Sequence, residues 1–146
     1  MQALRSPEPA QAADRAGLIS LLQTVQLPTE DLPPSLEHFL VAKEGESVVG
    51  SVGLERYEHI GLLRSLAVHP DQQGSGLGQA LYEAALRHAS AHGITDLYLI
   101  TTTAAPYFAR RGFREIARDQ VPMAIRHTAQ FTGVCPSTAT VMRKES

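Results

Sequence analysis

The stretch 62–92, LLRSLAVHPDQQGSGLGQALYEAALRHASAH, constrains this chain more than any other. Residues 62–68 are a short apolar run, interrupted by Arg64 and Ser65 and stopped by His69-Pro70, which suits a central strand. Gly74, Gly76 and Gly78 then alternate through a turn. Leu77, Ala80, Leu81, Ala84, Ala85 and His88 recur at helical spacing, with Gln79, Glu83 and Arg87 on the other face. Gly93 stands where a helix C-cap glycine belongs.

The first turn of a helix carries backbone N–H groups without internal partners, and the macrodipole adds about half a positive charge there. Glycines ahead of it let a bulky anion reach the backbone without Cβ clashes, so strand, turn and helix together can form a phosphate cradle made of peptide. The plainer alternative is a glycine turn that only joins a strand to a helix. Two other cradles fail on spacing. The dinucleotide fingerprint needs GxGxxG and an acidic residue ending a strand about 20 residues on, whereas the glycines here alternate and Asp96 begins a strand. A P-loop needs Lys-Ser/Thr directly after its last glycine; Gln79-Ala80 follow Gly78.

What remains, Gln73-Gly74-Ser75-Gly76-Leu77-Gly78 after Leu66-Ala67-Val68, resembles the acyl-CoA signature of the GNAT N-acetyltransferase superfamily, Gln/Arg-x-x-Gly-x-Gly/Ala behind a Leu-Ala-Val-like strand end. The order of the remaining elements extends the resemblance over nearly the whole chain. Residues 1–5 read as a short edge strand and 9–25 as a helix, with Leu18, Leu21, Leu22 and Val25 on one face and Pro9 in its first turn. Residues 27–35 contain three prolines and read as a stiff loop, either a substrate lid or a plain connector. Residues 38–43 and 48–57 form a hairpin around Glu44-Gly45-Glu46, and with 62–68 an antiparallel meander; Gly50 and Gly53 point to a bulge or a close backbone approach. A strand over 94–101 follows the cradle helix and should run parallel to 62–68. A helix over 102–111, a strand over 113–117, a helical 122–130 and a strand over 138–143 complete the pattern. The fold class expected is therefore α/β (α+β): a single GNAT-like domain over 1–146, its mixed, mostly antiparallel sheet splayed at a central parallel pair and flanked by helices.

Composition narrows the function. A net charge of −2 leaves no footprint for nucleic acid or an anionic membrane. No apolar run nears the ~18 residues of a membrane span, and no signal-peptide core opens the chain. The single cysteine, Cys135, excludes an internal disulfide and fits a reducing, cytoplasmic setting.

The resemblance implies acetyl-CoA as co-substrate, no metal, a small-molecule amine as partner, and a family in which homodimers are common. It places the backbone of Leu66, Ala67 and Val68 against the pantetheine amides, between two splayed parallel strands. The N–H groups of Gly74, Ser75, Gly76, Leu77, Gly78 and Gln79 would hold the pyrophosphate, with Gln73 at the first motif position. Thr101 stands where the family often has a pantetheine-contacting asparagine. The proton-transfer residues depart from the family: Leu62 replaces the frequent glutamate, and Phe108, beside Tyr107, replaces the usual tyrosine. Glu55, on the neighbouring strand, is the candidate base, and Tyr107 the candidate acid although it sits about 100° around a helix from the usual position. Arg64, a guanidinium in an apolar strand, needs a partner. That partner is either an acceptor carboxylate or a nearby acid such as Glu55.

Leu54-Glu55, the run 62–68, the run 97–103 and Val134-Cys135-Pro136-Ser137-Thr138-Ala139 together resemble the arsenic-resistance-associated N-acetyltransferases, a subgroup similar to the acetyltransferase domain of N-acetylglutamate synthases. Both also lack the tyrosine at the Phe108 position. The function expected is acetyl transfer from acetyl-CoA to the amine of a small molecule, an amino acid or an analogue. The alternatives are a protein or peptide N-terminal acetyltransferase and a catalytically degenerate acyl-CoA-binding module.

Overall fold

The computed structural model describes residues 6–128, 131 and 139–145. The expected edge strand over 1–5 and most of the motif around Cys135 lie outside the described residues.

The chain opens with β1 (Glu8–Pro9), a 3-10 turn at Ala12–Asp14 and α1 (Arg15–Thr24). The meander follows as β2 (Phe39–Glu44), β3 (Ser47–Tyr57) and β4 (Ile60–Val68), and then α2 (Leu77–Ala91), β5 (Asp96–Thr101) and α3 (Ala105–Ala109). The end of the chain supplies β6 (Arg114–Ile116), α4 (Met123–Arg126) and β7 (Thr140–Glu145). The strands make one sheet in the order β1-β2-β3-β4-β5-β7-β6. All neighbouring pairs are antiparallel except β4 and β5, which run parallel as the intervening α2 requires.

Side chains alternate across the sheet and sort the core in two. Leu40, Val52, Leu54 and Leu63 meet Leu77, Leu81 and Ala85 of α2 and Phe108 of α3. On the opposite face Phe39 and Ala67 pack with Leu18, Leu21 and Leu22 of α1, and Leu62 and Tyr98 pack with Ile125 of α4. Among the described residues no helix is long and apolar enough to cross a membrane.

Several boundaries differ from the sequence reading. The first helix starts at Arg15 rather than Pro9, because Pro9 pairs with Leu40 at the sheet edge, where a residue without an N–H is tolerated. The Gln11 N–H donates to Asp14 Oδ2 at 2.8 Å, which shapes the turn before the helix. The helix expected over 102–111 contracts to Ala105–Ala109, since Thr101 Oγ1 accepts the N–H groups of Thr103 and Ala104 and holds an open turn. The last strand is shifted to Thr140–Glu145. Gly53 serves close approach, not a bulge of its own strand: an added Cβ would lie 2.4 Å from the Phe39 ring.

Candidate acyl-CoA and acceptor site

The parallel pairing of β4 with β5 covers only Ile60, Leu62 and the residue between them, opposite Asp96, Leu97 and Tyr98. Beyond Leu62 the two strands part, and β4 continues to Val68 paired on its β3 side alone among the described residues. A strand edge left open inside a domain exposes N–H and C=O groups that need a partner. Here the open edges face a cavity of about 650 Å³ lined by Leu66, Ala67 and Val68 from β4, by Leu99 and Thr101 from β5, and by Tyr107 and Phe108 from α3. Gln73 and Gly78 border the same cavity, and Gln26, Leu27 and Pro28 wall it from the loop after α1.

A bulge sits on β4 at Ser65 and Leu66, both of which line this cavity. Ser51 faces Ala67 and Gly53 faces Arg64, so the single residue Val52 spans both Ser65 and Leu66. Ser65 takes a left-handed φ of 57°, a conformation costly for a residue with a Cβ. The buried Ser51 hydroxyl donates to the Ser65 carbonyl at 2.7 Å and fixes the bulge. Bulges re-aim backbone amides, and this one re-aims them beside the open edge.

At the other end of the cavity lies the start of α2. Its first helical hydrogen bond runs from the Ala80 N–H to the Gly76 carbonyl, so the N–H groups of Leu77, Gly78 and Gln79 have no acceptor within the helix. Gly74 and Gly76 hold φ of 84° and 86°, and nothing stands within 4 Å of where either Cβ would be. Ser75 is turned inward: its N–H and its hydroxyl both donate to the Gln72 carbonyl. It closes the turn, which leaves its own N–H already engaged. The Leu77 side chain is buried in the core, leaving only its backbone to the cradle.

Sequence reasoning missed a cation at this end. The Arg111 guanidinium donates to Gln79 Oε1 at 2.7 and 3.0 Å and lies 3.5 Å from the centroid of the Tyr107 ring. It puts a positive charge beside the first turn of α2, where Gln73 of the motif brings none. Its partner Gln79 lies 32 residues away, a separation that no local pattern announces.

The candidate catalytic residues separate in space. The Tyr107 hydroxyl lies 3.7 Å from the Cβ position of Gly78, and Val68 lies equally near that position. Tyr107 thus belongs to the cradle end of the cavity, roughly 10 Å along β4 from Ser65 at ~3.3 Å per residue. Glu55 is not among the cavity-lining residues. Its Oε1 accepts the Tyr57 hydroxyl at 2.5 Å, and its Oε2 accepts Arg64 Nη1 at 2.6 Å. Burial, and then the bond to Glu55, push the Tyr57 phenol well above its ordinary pKa and keep it a donor.

Arg64 lines the cavity with its guanidinium fully buried, and its fork is already filled. Asp31 takes it bidentately at 2.8 Å through both carboxylate oxygens, Glu55 takes Nη1, and Nε reaches Ser65 Oγ at 3.1 Å. The pairing with a nearby acid holds in this structure, and an acceptor carboxylate could take the fork only by displacing Asp31. Asp31 had no signal in the sequence. It lies in the proline-rich loop, 33 residues from Arg64, and that loop is tied down again by Arg15 Nη2 donating to the Pro33 and Pro34 carbonyls. The segment read as a lid or connector is a pinned wall of the cavity.

An open parallel strand pair running into a glycine-cradled helix start decides the family, and residues 35–115 match the family model for the acetyltransferase (GNAT) domain, more than half of the 146 residues. The chain belongs to the GNAT acetyltransferase family. Its GNAT relatives include the amino-acid acetyltransferase of Vibrio atlanticus, 26% identical over 123 residues that cover 78% of this chain and 28% of that protein. The amino-acid acetyltransferase of Escherichia coli K12 is 26% identical over 118 residues, 75% of this chain and 27% of that one. The chain therefore spans under a third of the length of these curated relatives. The same GNAT fold recurs in N-acetylglutamate synthase from Neisseria gonorrhoeae complexed with coenzyme A and N-acetyl-glutamate. The TM-score there is 0.83 at 20% identity, over 99% of this chain and 35% of that one. Rv2747 from Mycobacterium tuberculosis, in complex with CoA, gives 0.77 at 21% identity over 97% and 99% of the two chains.

Proposed function

We propose that this GNAT domain transfers an acetyl group from acetyl-CoA to the amine of a small molecule of the amino-acid class. The observation that carries the reading is the parting of β4 and β5 after three residues, which opens onto the same cavity that Gln73 and Gly78 at the start of α2 border. An extended pantetheine arm, with its two amides, is the kind of ligand that satisfies an open strand edge. A pyrophosphate is the kind of anion that suits the N–H groups of Leu77 to Gln79, and the left-handed Gly76 leaves the space for it. Gln73 and Arg111 flank that anion, and Thr101 ends the facing strand.

The co-substrate supplies a thioester. Attack by a neutral amine forms the C–N bond and breaks the C–S bond; the acylated nitrogen sheds one proton, which passes through water to the departing coenzyme A sulfur. The bulge at Ser65 offers re-aimed backbone amides for the carbonyl oxygen as it gains charge, which needs no side chain. The amine must first lose a proton, since its ordinary pKa is near about 10. Glu55 is the base in this reading: both carboxylate oxygens are engaged by Tyr57 and Arg64 and it stands back from the cavity lining, so it acts through water on the lone pairs it keeps. The Asp31–Arg64–Glu55 group holds two carboxylates against one guanidinium, and its net negative charge favours an ammonium at the acceptor end. Tyr107, beside Gly78, is placed to order the coenzyme near the cradle. The amino-acid class follows the relatives' names.

Release of free thiol from acetyl-CoA, measured against a panel of amino acids, simple amines and peptides, tests this reading. Amino-acid-dependent release is expected. Release with peptides alone would instead make it a peptide acetyltransferase, and tight CoA binding without turnover on any acceptor would make it a binding module.

A further inference from the structure

Three of the chain's six histidines converge far from the cavity. His38 precedes β2, and His88 and His92 lie one turn apart at the C-terminal end of α2. One ring nitrogen from each lies within 4.8 Å of the others. His38 Nδ1 and His88 Nε2 are 2.9 Å apart, and the rings of His88 and His92 stack with centroids 4.1 Å apart. Their spacing in the sequence, His88-x-x-x-His92, puts two imidazoles on one helix face, and the fold brings the third across 50 residues.

One ring nitrogen of this group, that of His92 facing away from the cluster, is engaged in the way that metal-ligating histidines require. His92 Nδ1 lies 2.8 Å from the His88 carbonyl, which fixes the tautomer that carries its proton there and leaves Nε2 with a lone pair. His38 Nδ1 is the nitrogen aimed at the cluster, since it is the one hydrogen-bonded to His88 Nε2. Burial first, and then the neighbouring imidazoles, hold His88 below the ordinary histidine pKa; His38 is lowered too, by burial, His92 and Arg56 against the opposing pull of Glu37.

From this arrangement we infer that His38, His88 and His92 form a binding site for a first-row divalent transition metal, with zinc and nickel the natural occupants. Three imidazoles on one side of an ion leave its remaining positions to water, a donor set suited to Zn, Ni and Cu and poor for Mg or Ca. Zn–N bonds of ~2.0–2.1 Å place tetrahedral ligand nitrogens roughly 3.4 Å apart, between the 2.9 Å of the closest pair and the 4.8 Å limit of the set. Binding would replace the His38–His88 hydrogen bond, its proton leaving to solvent as the ion enters. The bound ion would clip the end of α2 to the start of β2, about 18 Å along α2 from Gly76 at ~1.5 Å per residue. The inference is independent of the acetyl-transfer reading.

The test is titration of the untagged, EDTA-treated full chain with zinc chloride and with nickel chloride, by calorimetry and by thermal unfolding. Binding of one ion per chain is expected, with a rise in Tm that EDTA reverses, and cobalt substitution should give the visible d–d bands of a nitrogen-ligated site. His38→Ala and His88→Ala should each weaken binding by more than the ~10- to 100-fold that loss of an outer-shell partner costs. His92→Ala, at the solvent edge, serves if the more buried variants fail to fold. CoA affinity should not change in any of them. Absence of a Tm shift at saturating metal, or equal affinity in the wild type and the His92 variant, would overturn the site.

Discussion

Arg64 is read differently once its neighbours are visible. From the sequence it could hold an acceptor carboxylate or pair with an acid of the chain. In the fold its guanidinium lies between Asp31 and Glu55, fully buried. Removing one partner of a buried ion pair leaves uncompensated charge and costs about 3–5 kcal/mol, and Arg64→Ala leaves two carboxylates facing each other. A fall of that order is expected in urea unfolding, with the slope unchanged. An unmoved midpoint with a raised KM for the acceptor would return Arg64 to the carboxylate-holding role. Tyr57 gives a second expectation at this scale. Its phenol pKa is raised in the folded chain, so its contribution to stability is complete below the unfolded value of about 10 and drains away as pH rises through the folded one. Tyr57→Phe should flatten the alkaline loss of stability seen by chemical denaturation above pH ~10, and an identical alkaline profile in the variant would contradict the raised phenol pKa that burial and the bond to Glu55 produce.

Among the elements, the start of α2 separates folding from binding. Gly76 cannot be substituted cleanly, because its left-handed φ of 86° strains any side chain. Gly78 has an ordinary helical backbone, and an added Cβ would meet only Val68 and Tyr107 at 3.6 and 3.7 Å. Gly78→Ala should therefore keep or raise Tm, since alanine gains up to about 1 kcal/mol over glycine in a helix. It should also weaken CoA binding about tenfold, or ~1.4 kcal/mol, by crowding the cradle. Unchanged CoA affinity in calorimetry would remove Gly78 from the cradle. This element was the most legible in the sequence, because strand, glycine turn and helix are contiguous and each obeys a local rule. The meander and the parallel return of β5 were legible for the same reason. What escaped was long-range: Asp31 on Arg64, Arg111 on Gln79, and His38 on His88 are pairings made only by the fold. Pro9 misled because a proline suits both a first helical turn and an edge strand, and pairing with Leu40 chose the strand.

Across the whole molecule, the sheet opens on one side of its only parallel pair among the described strands. If coenzyme A fills that opening as proposed, it ties β4, β5, α2 and α3 together, so binding and stability should be linked. At a ligand concentration of about 100 Kd the linkage amounts to ~2.7 kcal/mol, a rise in Tm of several degrees for a domain of this size. Adenosine diphosphate, which carries the pyrophosphate without the pantetheine arm, should give a smaller rise, because it leaves the edges of β4 and β5 open; an equal rise would place the affinity in the cradle alone. The most direct measurement is the crystal structure of the chain with coenzyme A bound. Pantetheine is expected between the open edges of β4 and β5, hydrogen-bonded to the β4 backbone near Leu66 to Val68, with pyrophosphate oxygens on the N–H groups of Leu77, Gly78 and Gln79. Coenzyme A bound on another surface, or β4 and β5 zipped together along their length, would contradict it.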